Sequence, residues 1–254
     1  MKFFINVGSS IINFLEETGR FFIFTLKTLK SIISKWYLKN IFQQMISIGY
    51  LSLPVVALTS FFTGGALAIQ IYYGGNQFNS EVIVSSIVAL GITRELGPVL
   101  GGIVVAGRVS AAIAAEIGTM KVTEQIDALE VMGINSINYL VFPKVIALLL
   151  YPFLISIAMF LGILGGMAAC VYGGYSTMSD FIDGIQTDFI PFHMTYAFIK
   201  TFVFAFILAT VPSFHGYYMK GGALEVGKAS TTSFIWTCVT IIIFNFLITQ
   251  MLLG

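Results

Sequence analysis

The sequence predicts an all-α integral membrane protein with an N-terminal amphipathic interfacial helix, five transmembrane helices, and a short charged helix between the second and third spans. The first reason is composition: 57% of the 254 residues are hydrophobic, 10% are charged, and the mean hydropathy is +0.92. Soluble domains have about 45–50% apolar and about 25% charged residues. The second reason is a series of apolar runs, each at least as long as the ~20 residues that a helix needs to cross a bilayer. The third is that, among the connections between these runs, only every second one contains Lys or Arg.

The same composition limits the classes of function. A net charge of +1 argues against nucleic acid as a partner. Cys170 and Cys238 stand singly in apolar runs, without the spacing of a disulfide framework or a metal site. His193 and His215 each lack a second ligand at metal spacing, and the sequence shows no nucleophile–base constellation. We therefore expect no catalytic residue, no metal and no cofactor in this chain.

Residues 1–44 precede the first apolar run and carry a helical pattern over 9–36. One face is apolar and the other is mainly charged, with Phe24 interrupting the charged face. Such a helix lies in a membrane interface, with lysines in water and aromatic residues below them. The apolar face comprises Ile11, Phe14, Leu15, Phe22, Leu26, Leu29, Ile33 and Trp36, and the polar face comprises Asn13, Glu16, Glu17, Arg20, Lys27 and Lys30.

Five apolar runs follow and form one membrane domain over residues 45–254. The second run is too long for one straight crossing and contains Gly97-Pro98. Because proline removes an N–H and crowds the preceding turn, we expect a kink there. Gly97-x-x-x-Gly101 and Gly162-x-x-x-Gly166 permit close helix contact, either within the chain or across a dimer seam. The predicted spans are roughly 45–72, 82–115, 138–172, 192–213 and 231–253.

Basic residues predict the orientation of these spans. Lys or Arg occurs before the first span, in the hairpin after the second and in the loop after the fourth, whereas loops 73–81 and 173–191 contain neither. The positive-inside rule then places the N-terminus in the cytoplasm and the C-terminus outside. The short charged helix after the second span is therefore predicted to be cytoplasmic.

This short helix covers about 123–133 and has an apolar stripe beside an acidic face. Acidic groups in its first turn complement the helix dipole, and Gly133 can end it. The pattern fits either a solvated helix that only reverses the chain or a surface that docks a partner. The apolar stripe is Ile126, Leu129 and Met132, and the acidic face is Glu124, Asp127 and Glu130.

Arg94, Glu95 and Lys200 lie inside predicted spans. A charge at mid-bilayer costs roughly 2.5–3.5 kcal/mol on insertion scales, so such groups usually face a cavity or pair with one another. Neighbouring residues on a helix point about 100° apart, so Arg94 and Glu95 are not each other's main partner. A pairing of Glu95 with Lys200 across helices is feasible. These charges form either a structural ion pair or the lining of a polar path.

One segment imitates a nucleotide-binding motif. Gly222-Ala-Leu-Glu-Val-Gly227-Lys228 has the spacing of a phosphate-binding loop, but Ala229 stands where Ser or Thr would hold magnesium. The sequence also has no buried strand before it. We expect no nucleotide binding at this segment.

Four motifs lie in and around the short helix: RELGPVL (94–100), AGRVSAAIAAEIGTM (106–120), EQIDALEVMG (124–133) and YLVFPK (139–144). Together they resemble the MlaE/YrbE permeases of lipid-transporting ABC systems. The likeness continues weakly through Lys200 and the GGALEVGKASTT segment and covers most of the chain after residue 45. The chain has Ser136 where the family usually has proline, and Asn138 and Lys144 where it usually has arginine.

The resemblance implies a non-catalytic permease subunit in the bacterial inner membrane, present in two copies and driven by separate ABC ATPase subunits. It also implies a periplasmic MCE-domain partner, with phospholipid or a related lipid as cargo. The helix at 123–133 resembles the coupling helix that docks in the ATPase cleft, and Arg94, Glu95 and Lys200 match positions of a lipid path. The implied coupling residues are Glu116, Thr119, Met120, Glu124, Gln125, Asp127, Ala128 and Glu130.

Two other classes of protein remain to be weighed. A secondary transporter or channel would use Arg94, Glu95 and Lys200 as an ion or proton relay and would work from a proton gradient without ATP. An intramembrane enzyme would need a Ser/Lys, paired-Asp or HExxH set, which the sequence does not contain. Co-purification of an ATPase separates the permease from the secondary transporter.

Overall fold

The computed structural model describes residues 2–31, 37–75, 81–187 and 189–253. Every regular element in these residues is helical, and five segments are long and apolar enough to cross a membrane. This confirms the predicted fold class. The predicted loop around Asn76 lies outside the described residues. The five segments are Leu38–Gly75, Val82–Val122, Ser136–Tyr172, Pro191–Tyr218 and Ala223–Leu253.

Within the described residues we number the α-helices in chain order. They are α1 (Lys2–Lys30), α2 (Leu38–Gln44), α3 (Leu53–Gly75), α4 (Glu81–Gly91), α5 (Gly97–Val122), α6 (Gln125–Val131), α7 (Ser136–Leu140), α8 (Phe142–Leu148), α9 (Tyr151–Tyr172), α10 (Met178–Thr187), α11 (Pro191–Tyr218) and α12 (Ala223–Leu253).

The first span changes helix type between α2 and α3, through a π-helical turn (Met45–Gly49) and a 3-10 turn (Tyr50–Ser52). Arg108 of α5 binds this irregular stretch. Its guanidinium donates to the carbonyl of Ser47 at 3.3 Å and to the hydroxyl of Ser52 at 2.7 Å. Breaks in a transmembrane helix are tolerated when neighbouring groups satisfy the freed backbone in this way. Sequence analysis overlooked Arg108, although it lies inside a predicted span.

The second span has its predicted break beside Gly97-Pro98. A π-helical turn, Ile92–Leu96, joins α4 to α5. Pro98 has no N–H to donate to the carbonyl four residues earlier, so regular α-helical hydrogen bonding cannot continue through this turn. The carbonyl of Pro98 itself accepts a hydrogen bond from the Tyr151 hydroxyl at 3.2 Å. The break thus joins the second span to the third.

The third span is broken twice, whereas the sequence predicted one continuous span over 138–172. It consists of α7, α8 and α9. Pro143 and Pro152 lie in the first turns of α8 and α9. Proline is tolerated in the first turn of a helix but not in its interior, so each proline begins a new helix.

The fifth span begins earlier than predicted. Helix α12 starts at Ala223 rather than near residue 231, and its first turns contain the segment that imitates a phosphate-binding loop. Lys228 and Glu225 form an ion pair at 2.6 Å across these turns. The backbone here is helical and therefore differs from a loop that wraps around a phosphate.

The connection between the third and fourth spans contains helix α10, which sequence analysis treated as loop. The N–H of Asp180 donates to the hydroxyl of Thr177 at 3.2 Å and so caps the helix start. Gly184 brings α10 close to α4, since its carbonyl accepts from the Ser86 hydroxyl at 2.6 Å. The overlooked signal was the Thr-x-x-Asp pattern of a helix start.

Helix α1 buries one aromatic residue against α11 and leaves its apolar face uncovered. Phe24, which interrupts the charged face in the sequence, is fully buried, with its ring 5.7–5.9 Å from those of Phe214, Tyr217 and Tyr218. The interruption therefore faces the protein. The position of α1 in a membrane interface stays a prediction. The exposed apolar residues of α1 include Ile11, Leu15, Phe22, Leu26 and Leu29.

Glycine brings α3 and α9 into backbone contact. A Cβ atom added to Gly64 would lie 1.9 Å from the carbonyl oxygen of Gly162, and one added to Gly165 would lie 2.0 Å from that of Phe61. Gly97 also packs against α9, but there an added Cβ atom would meet the Met159 side chain, at 2.3 Å from its Cγ. Of the two interpretations of these small-residue motifs, the structure favours helix packing within the chain.

We expect Gly165→Ala to lower the free energy of unfolding by about 1–3 kcal/mol or more, because overpacking forces two helices apart. The measurement is the thermal unfolding midpoint in detergent, together with the yield of monodisperse protein. Gly107→Ala is the control, since a Cβ atom there meets its nearest neighbour at 3.7 Å, an ordinary contact. Equal midpoints for the two variants would contradict the packing described here.

The contacts that the interhelical connections make place them at two opposite ends of the helical bundle. At the end of α11, the Tyr217 hydroxyl donates to Glu130 of α6 at 3.0 Å. At the other end, the hydroxyls of Tyr73 and Tyr175 lie 3.1 Å apart. The connections that contain Lys and Arg therefore share one end of the bundle, as the predicted orientation requires.

Candidate functional site

The π-helical turn positions two of the charges predicted from the sequence. Because Pro98 cannot donate to the carbonyl of Arg94, that carbonyl is available to another donor, and it accepts from Lys200 Nζ at 3.3 Å. The carboxylate of Glu95, in the same turn, accepts from the same ammonium at 2.8 Å. The structure thus contains the ion pair across helices that the sequence allowed.

Three other side chains complete the coordination of the Glu95 carboxylate. Tyr196 donates to Oε1 at 2.9 Å, Asn245 Nδ2 donates to Oε2 at 3.1 Å, and Thr249 donates to Oε1 at 3.5 Å. Both carboxylate oxygens therefore have donors, which a charge inside a span requires. We call Glu95, Lys200, Tyr196, Asn245 and Thr249 the intramembrane charge cluster.

The two ions of this cluster differ in burial. The Lys200 side chain is fully buried, whereas that of Glu95 is 41% exposed. Lys200 Nζ also lies 4.3 Å from the centroid of the Tyr196 ring, and this cation–π contact adds to its stabilisation. The carboxylate can therefore meet a ligand from outside the cluster, while the ammonium is enclosed by protein.

Arg94 contacts the cluster through its backbone carbonyl, which accepts from Lys200. It is half-buried, and within the described residues no hydrogen-bond or ion-pair partner reaches its guanidinium. Nearby, the buried Nδ1 of His193 has no hydrogen-bond partner among the residues described. Thr93 and His193 line an apolar cavity of about 190 Å³ between α4, α9 and α11. A half-buried guanidinium without a protein partner is suited to an anionic group.

Sequence analysis missed three members of the charge cluster, but each left a signal. Tyr196 lies one helical turn before Lys200. Asn245 and Thr249 are one turn apart in a predicted span that is free of charge, and their shared helix face turns toward Glu95. A polar pair at this spacing in a transmembrane helix indicates a polar partner on another helix.

The second candidate surface is the hairpin that carries α6. Helix α5 continues to Val122, and the chain reverses at Glu124, which has φ 58° and precedes α6. The predicted helix start near Thr123 and the predicted place of Glu124 in the first turn were therefore wrong. The reason is that Thr123 ends α5 instead, with its N–H donating to the Thr119 carbonyl at 3.0 Å. A left-handed Glu is strained by roughly 1–2 kcal/mol relative to glycine.

Seven of the eight predicted coupling residues are exposed, and in the described part of the chain the side chains of five of these make no hydrogen bond beyond this hairpin. Asp127 has an ion pair with Lys121 at 2.8 Å, yet more than half of its side chain stays exposed. Met120, by contrast, packs partly against the core. The five residues are Thr119, Glu124, Gln125, Asp127 and Ala128.

The other two predicted coupling residues are held by the body of the protein. Glu130 Oε1 accepts from the hydroxyls of Ser136 at 2.9 Å and Tyr217 at 3.0 Å. Glu116 accepts from Lys144 Nζ at 2.6 Å, and that lysine side chain is only 2% exposed. The predicted acidic face is thus divided, since Glu130 anchors α6 to α11 while Glu124 and Asp127 face outward. The hydroxyl at position 136, where proline was expected, forms part of this anchor.

Both surfaces lie within one long match to a known family. The family model described as Permease MlaE matches residues 41–251. The chain belongs to the MlaE permease family. The resemblance seen in four sequence motifs is thereby confirmed, and this chain is an ABC transporter permease.

Two bacterial relatives of this permease match it over nearly their whole length. It is 42% identical to the probable ABC transporter permease protein of Rickettsia bellii, over 97% of this chain and 96% of that one. It is 28% identical to the intermembrane phospholipid transport system permease protein MlaE of Haemophilus influenzae, over 100% of this chain and 98% of that one. A chloroplast protein of Arabidopsis thaliana, TRIGALACTOSYLDIACYLGLYCEROL 1, is 35% identical over 87% of this chain and 64% of its own length.

The hairpin of the permease also exposes two apolar side chains that the sequence interpretation did not place there. Val131 is 88% exposed and Met132 is 64% exposed. Of the predicted apolar stripe, Ile126 is buried, whereas Met132 lies just past the end of the helix at Val131 and is exposed. Large apolar side chains beside exposed acidic groups are typical of a protein-docking surface.

Proposed function

We propose that the permease is the transmembrane subunit of an ABC transporter that moves phospholipid or a related lipid between the bacterial inner membrane and a periplasmic MCE-type carrier. Two copies of the chain would each bind a separate ATPase subunit, which carries out all ATP hydrolysis. The observation that carries this proposal is the end-to-end likeness to a relative named for phospholipid transport. The chain itself contributes no catalytic residue.

The geometry of the charges supports a lipid path. The Arg94 guanidinium has no protein partner within the described residues, and the preceding residue, Thr93, lines an apolar cavity of about 190 Å³. A lipid phosphate bound there would be neutralised by the guanidinium, and an acyl chain would fill apolar space. Glu95 is open enough to interact with a headgroup amine or hydroxyl, while Lys200 holds the carboxylate in place from its buried side.

The contacts of α6 support a coupling role. Exposed Glu124, Asp127 and Val131 would meet the ATPase, and Glu130 would pass its movement to α11 through the hydrogen bond with Tyr217. Helix α11 also carries Lys200, which lies 17 residues, or about 25 Å, from Tyr217 along the helix axis. A displacement of α6 would therefore act on the intramembrane charge cluster through a single helix, which has Pro212 in its interior between these two residues.

We propose that the N-terminus and the α6 hairpin are cytoplasmic and that the C-terminus is periplasmic, with residues 1–44 lying in the inner face of the membrane. In a cysteine-free background, an impermeant thiol reagent should label a cysteine at Asp183 in intact cells and leave cysteines at Glu124 and Gly222 unlabelled until the cells are opened. Confinement of Lys and Arg to one end of the bundle is the physical reason. Labelling of position 124 without labelling of 183 would overturn this orientation.

The proposed function is tested by purification and reconstitution. An affinity-tagged permease should bring down an ABC ATPase from its own host, and the complex in proteoliposomes should transfer labelled phospholipid only when ATP is hydrolysed. A variant that replaces the ATPase's catalytic glutamate is the control for ATP dependence. Transport that proceeds from a proton gradient alone would instead favour a secondary transporter with Glu95 in a proton relay.

A further inference from the structure

An apolar cavity of about 210 Å³ lies between the first and second spans. None of its described wall residues belongs to the cavity beside Thr93 and His193. In the second span its wall runs from Ile92 to Val104, and in α3 it runs from Val56 to Gly64. The cavity is open to the surface of the chain, and Leu100 in its wall is 38% exposed. We call it the α3–α5 groove.

Arg108 lies at one end of this groove. Its guanidinium donates to the Ser52 hydroxyl at 2.7 Å. Arg108 is one helical turn past Val104 of α5, which lines the groove. Ser52 is four residues before Val56, which lines the groove from α3. The contact between Arg108 and Ser52 therefore joins the two walls at the end of the groove that is nearer to α6.

The position of Arg108 along the second span matches the cytoplasmic surface of a bilayer. The segment Val82–Val122 is 41 residues long, and Arg108 is 26 residues, or about 39 Å of helix, from Val82. The hydrocarbon core of a bilayer is about 30 Å thick. With Val82 at the outer surface, as the proposed orientation requires, Arg108 is level with the headgroups of the cytoplasmic leaflet.

The positive charge of Arg108 is not balanced by the helices around it. Glu95, Glu116 and Lys121 of the second span each form an ion pair with a residue outside that span. Arg94 and Arg108 form none within the part of the chain that the structure describes. The first span, which supplies the opposite wall of the groove, has no Asp or Glu in its sequence. The groove therefore has an uncompensated cation at its cytoplasmic end.

The guanidinium of Arg108 also has donors left for a ligand. Of its five N–H groups, the described residues engage one with Ser52 and one with the Ser47 carbonyl, at 3.3 Å. Both acceptors are neutral and do not offset the charge, and Arg108 is exposed. An exposed guanidinium with unused N–H groups is suited to a phosphate, which it can bind through two oxygens.

We propose that Arg108 and the α3–α5 groove bind one phospholipid of the cytoplasmic leaflet. The phosphate accepts hydrogen bonds from Arg108, and one acyl chain lies in the groove. The groove wall includes Leu96, the neighbour of Glu95, so the site connects the cytoplasmic leaflet to the proposed lipid path. The site rests on the proposed function, whose lipid substrate it would hold, but binding itself needs neither ATP nor the ATPase.

Photochemical labelling tests the site on the permease alone. The protein is placed in nanodiscs that contain phosphatidylethanolamine or diacylglycerol, each with a diazirine in the same acyl chain and at the same mole fraction. Labelled peptides are then identified by mass spectrometry. We expect peptides around Val56 and Leu100 to receive roughly fivefold more phosphatidylethanolamine than diacylglycerol, as one added hydrogen bond to a phosphate predicts. Equal labelling by the two lipids would overturn the proposal.

A matched pair of variants isolates the charge of Arg108. Arg108→Gln should reduce labelling by phosphatidylethanolamine to the level of diacylglycerol. Lys220→Gln removes one exposed cation from the same end of the bundle, outside the groove, and should leave the labelling unchanged. Equal losses in the two variants would show a general effect of surface charge and refute the site.

A second pair separates lipid binding from the contacts that Arg108 makes with the irregular turn of the first span. Leu100→Trp fills the groove without altering Arg108 and should lower labelling around Val56 to the level of diacylglycerol. Leu247→Trp makes the same change in α12, where Leu247 is 46% exposed and is not part of the described groove wall, and should have no effect. Full labelling after Leu100→Trp would show that no acyl chain occupies the groove.

A second copy of the chain is the competing occupant of the groove. In a cysteine-free background, Leu100→Cys should form no intermolecular disulfide under oxidising conditions. Efficient disulfide formation would instead assign the groove to a dimer seam and refute the lipid site.

Failure of this site can be distinguished from failure of the proposed function. ATP-driven transport at the full rate in Arg108→Gln, together with unchanged labelling of the groove, would refute the site alone. Labelling that depends on Arg108, in a complex that shows no ATP-driven transport, would reject the proposed function alone.

Discussion

Glu95→Leu is expected to destabilise the permease more than Lys200→Met, although both break the same ion pair. Removal of the carboxylate leaves a fully buried ammonium whose remaining partners are the Arg94 carbonyl and the Tyr196 ring. An unpaired buried charge costs about 3–5 kcal/mol of unfolding free energy. Removal of Lys200 leaves a carboxylate that is 41% exposed and keeps its three neutral donors, so we expect a loss of about 1–3 kcal/mol.

The double variant Glu95→Leu plus Lys200→Met decides between a structural pair and a lipid path. With both charges removed, we expect thermal stability in detergent to return close to that of the unaltered protein. ATP-dependent lipid transfer should nevertheless be lost, because the path no longer has a carboxylate. Full transport by the double variant would show that the pair is structural, and our assignment of these residues to a lipid path would fail.

Arg94→Leu provides the matched comparison for this experiment. Its guanidinium has no partner in the described part of the protein, so we expect little change in thermal stability. Transport should fall as strongly as in the double variant if the guanidinium binds the lipid phosphate. Replacement of Arg94 should therefore leave thermal stability unchanged where replacement of Glu95 lowers it. Both replacements should reduce lipid transport.

Glu124→Lys plus Asp127→Lys is expected to leave the permease folded and inserted but to abolish its binding to the ATPase. Both side chains are exposed, and lysine tolerates φ 58° at position 124 no worse than glutamate, so stability should change little. Reversal of charge at an interface costs about 2–5 kcal/mol of binding free energy, which is about thirtyfold or more in affinity. The measurement is pull-down of the ATPase by tagged permease.

A single-charge comparison controls for net charge. Asp183→Lys makes the same change as Asp127→Lys but lies in α10, at the opposite end of the bundle, and should leave ATPase binding unaffected. Normal pull-down by the double variant at positions 124 and 127 would refute the assignment of α6 as the coupling helix.

The fold class and the number of spans could be derived from the sequence because they depend on sums over many residues. Hydropathy averaged over about 20 positions is insensitive to the details of packing. The breaks were harder to predict. The one at Pro98 was expected from its lost N–H, yet the same chemistry at Pro143 and Pro152 was overlooked, and it divides the third span into three helices.

The charged residues of the candidate site could also be found in the sequence, since a charge in an apolar span is conspicuous. Their partners could not. Asn245 lies 150 residues from the carboxylate of Glu95 that it contacts, and no periodicity within one helix specifies which face of another helix it will meet. A shift of one residue rotates a side chain by about 100°, so helix rotation decides each hydrogen bond.

For the α6 hairpin, too, some features follow from the sequence and others only from the tertiary structure. The sequence determined that a short acidic helix would lie between two spans, at the end of the bundle that carries the connections with Lys and Arg. Only the tertiary structure decided that Glu130 binds Ser136 and Tyr217 while Glu124 and Asp127 remain open to a partner. Three acidic residues that are equivalent in a helical pattern became different because the end of α11 approaches only one of them.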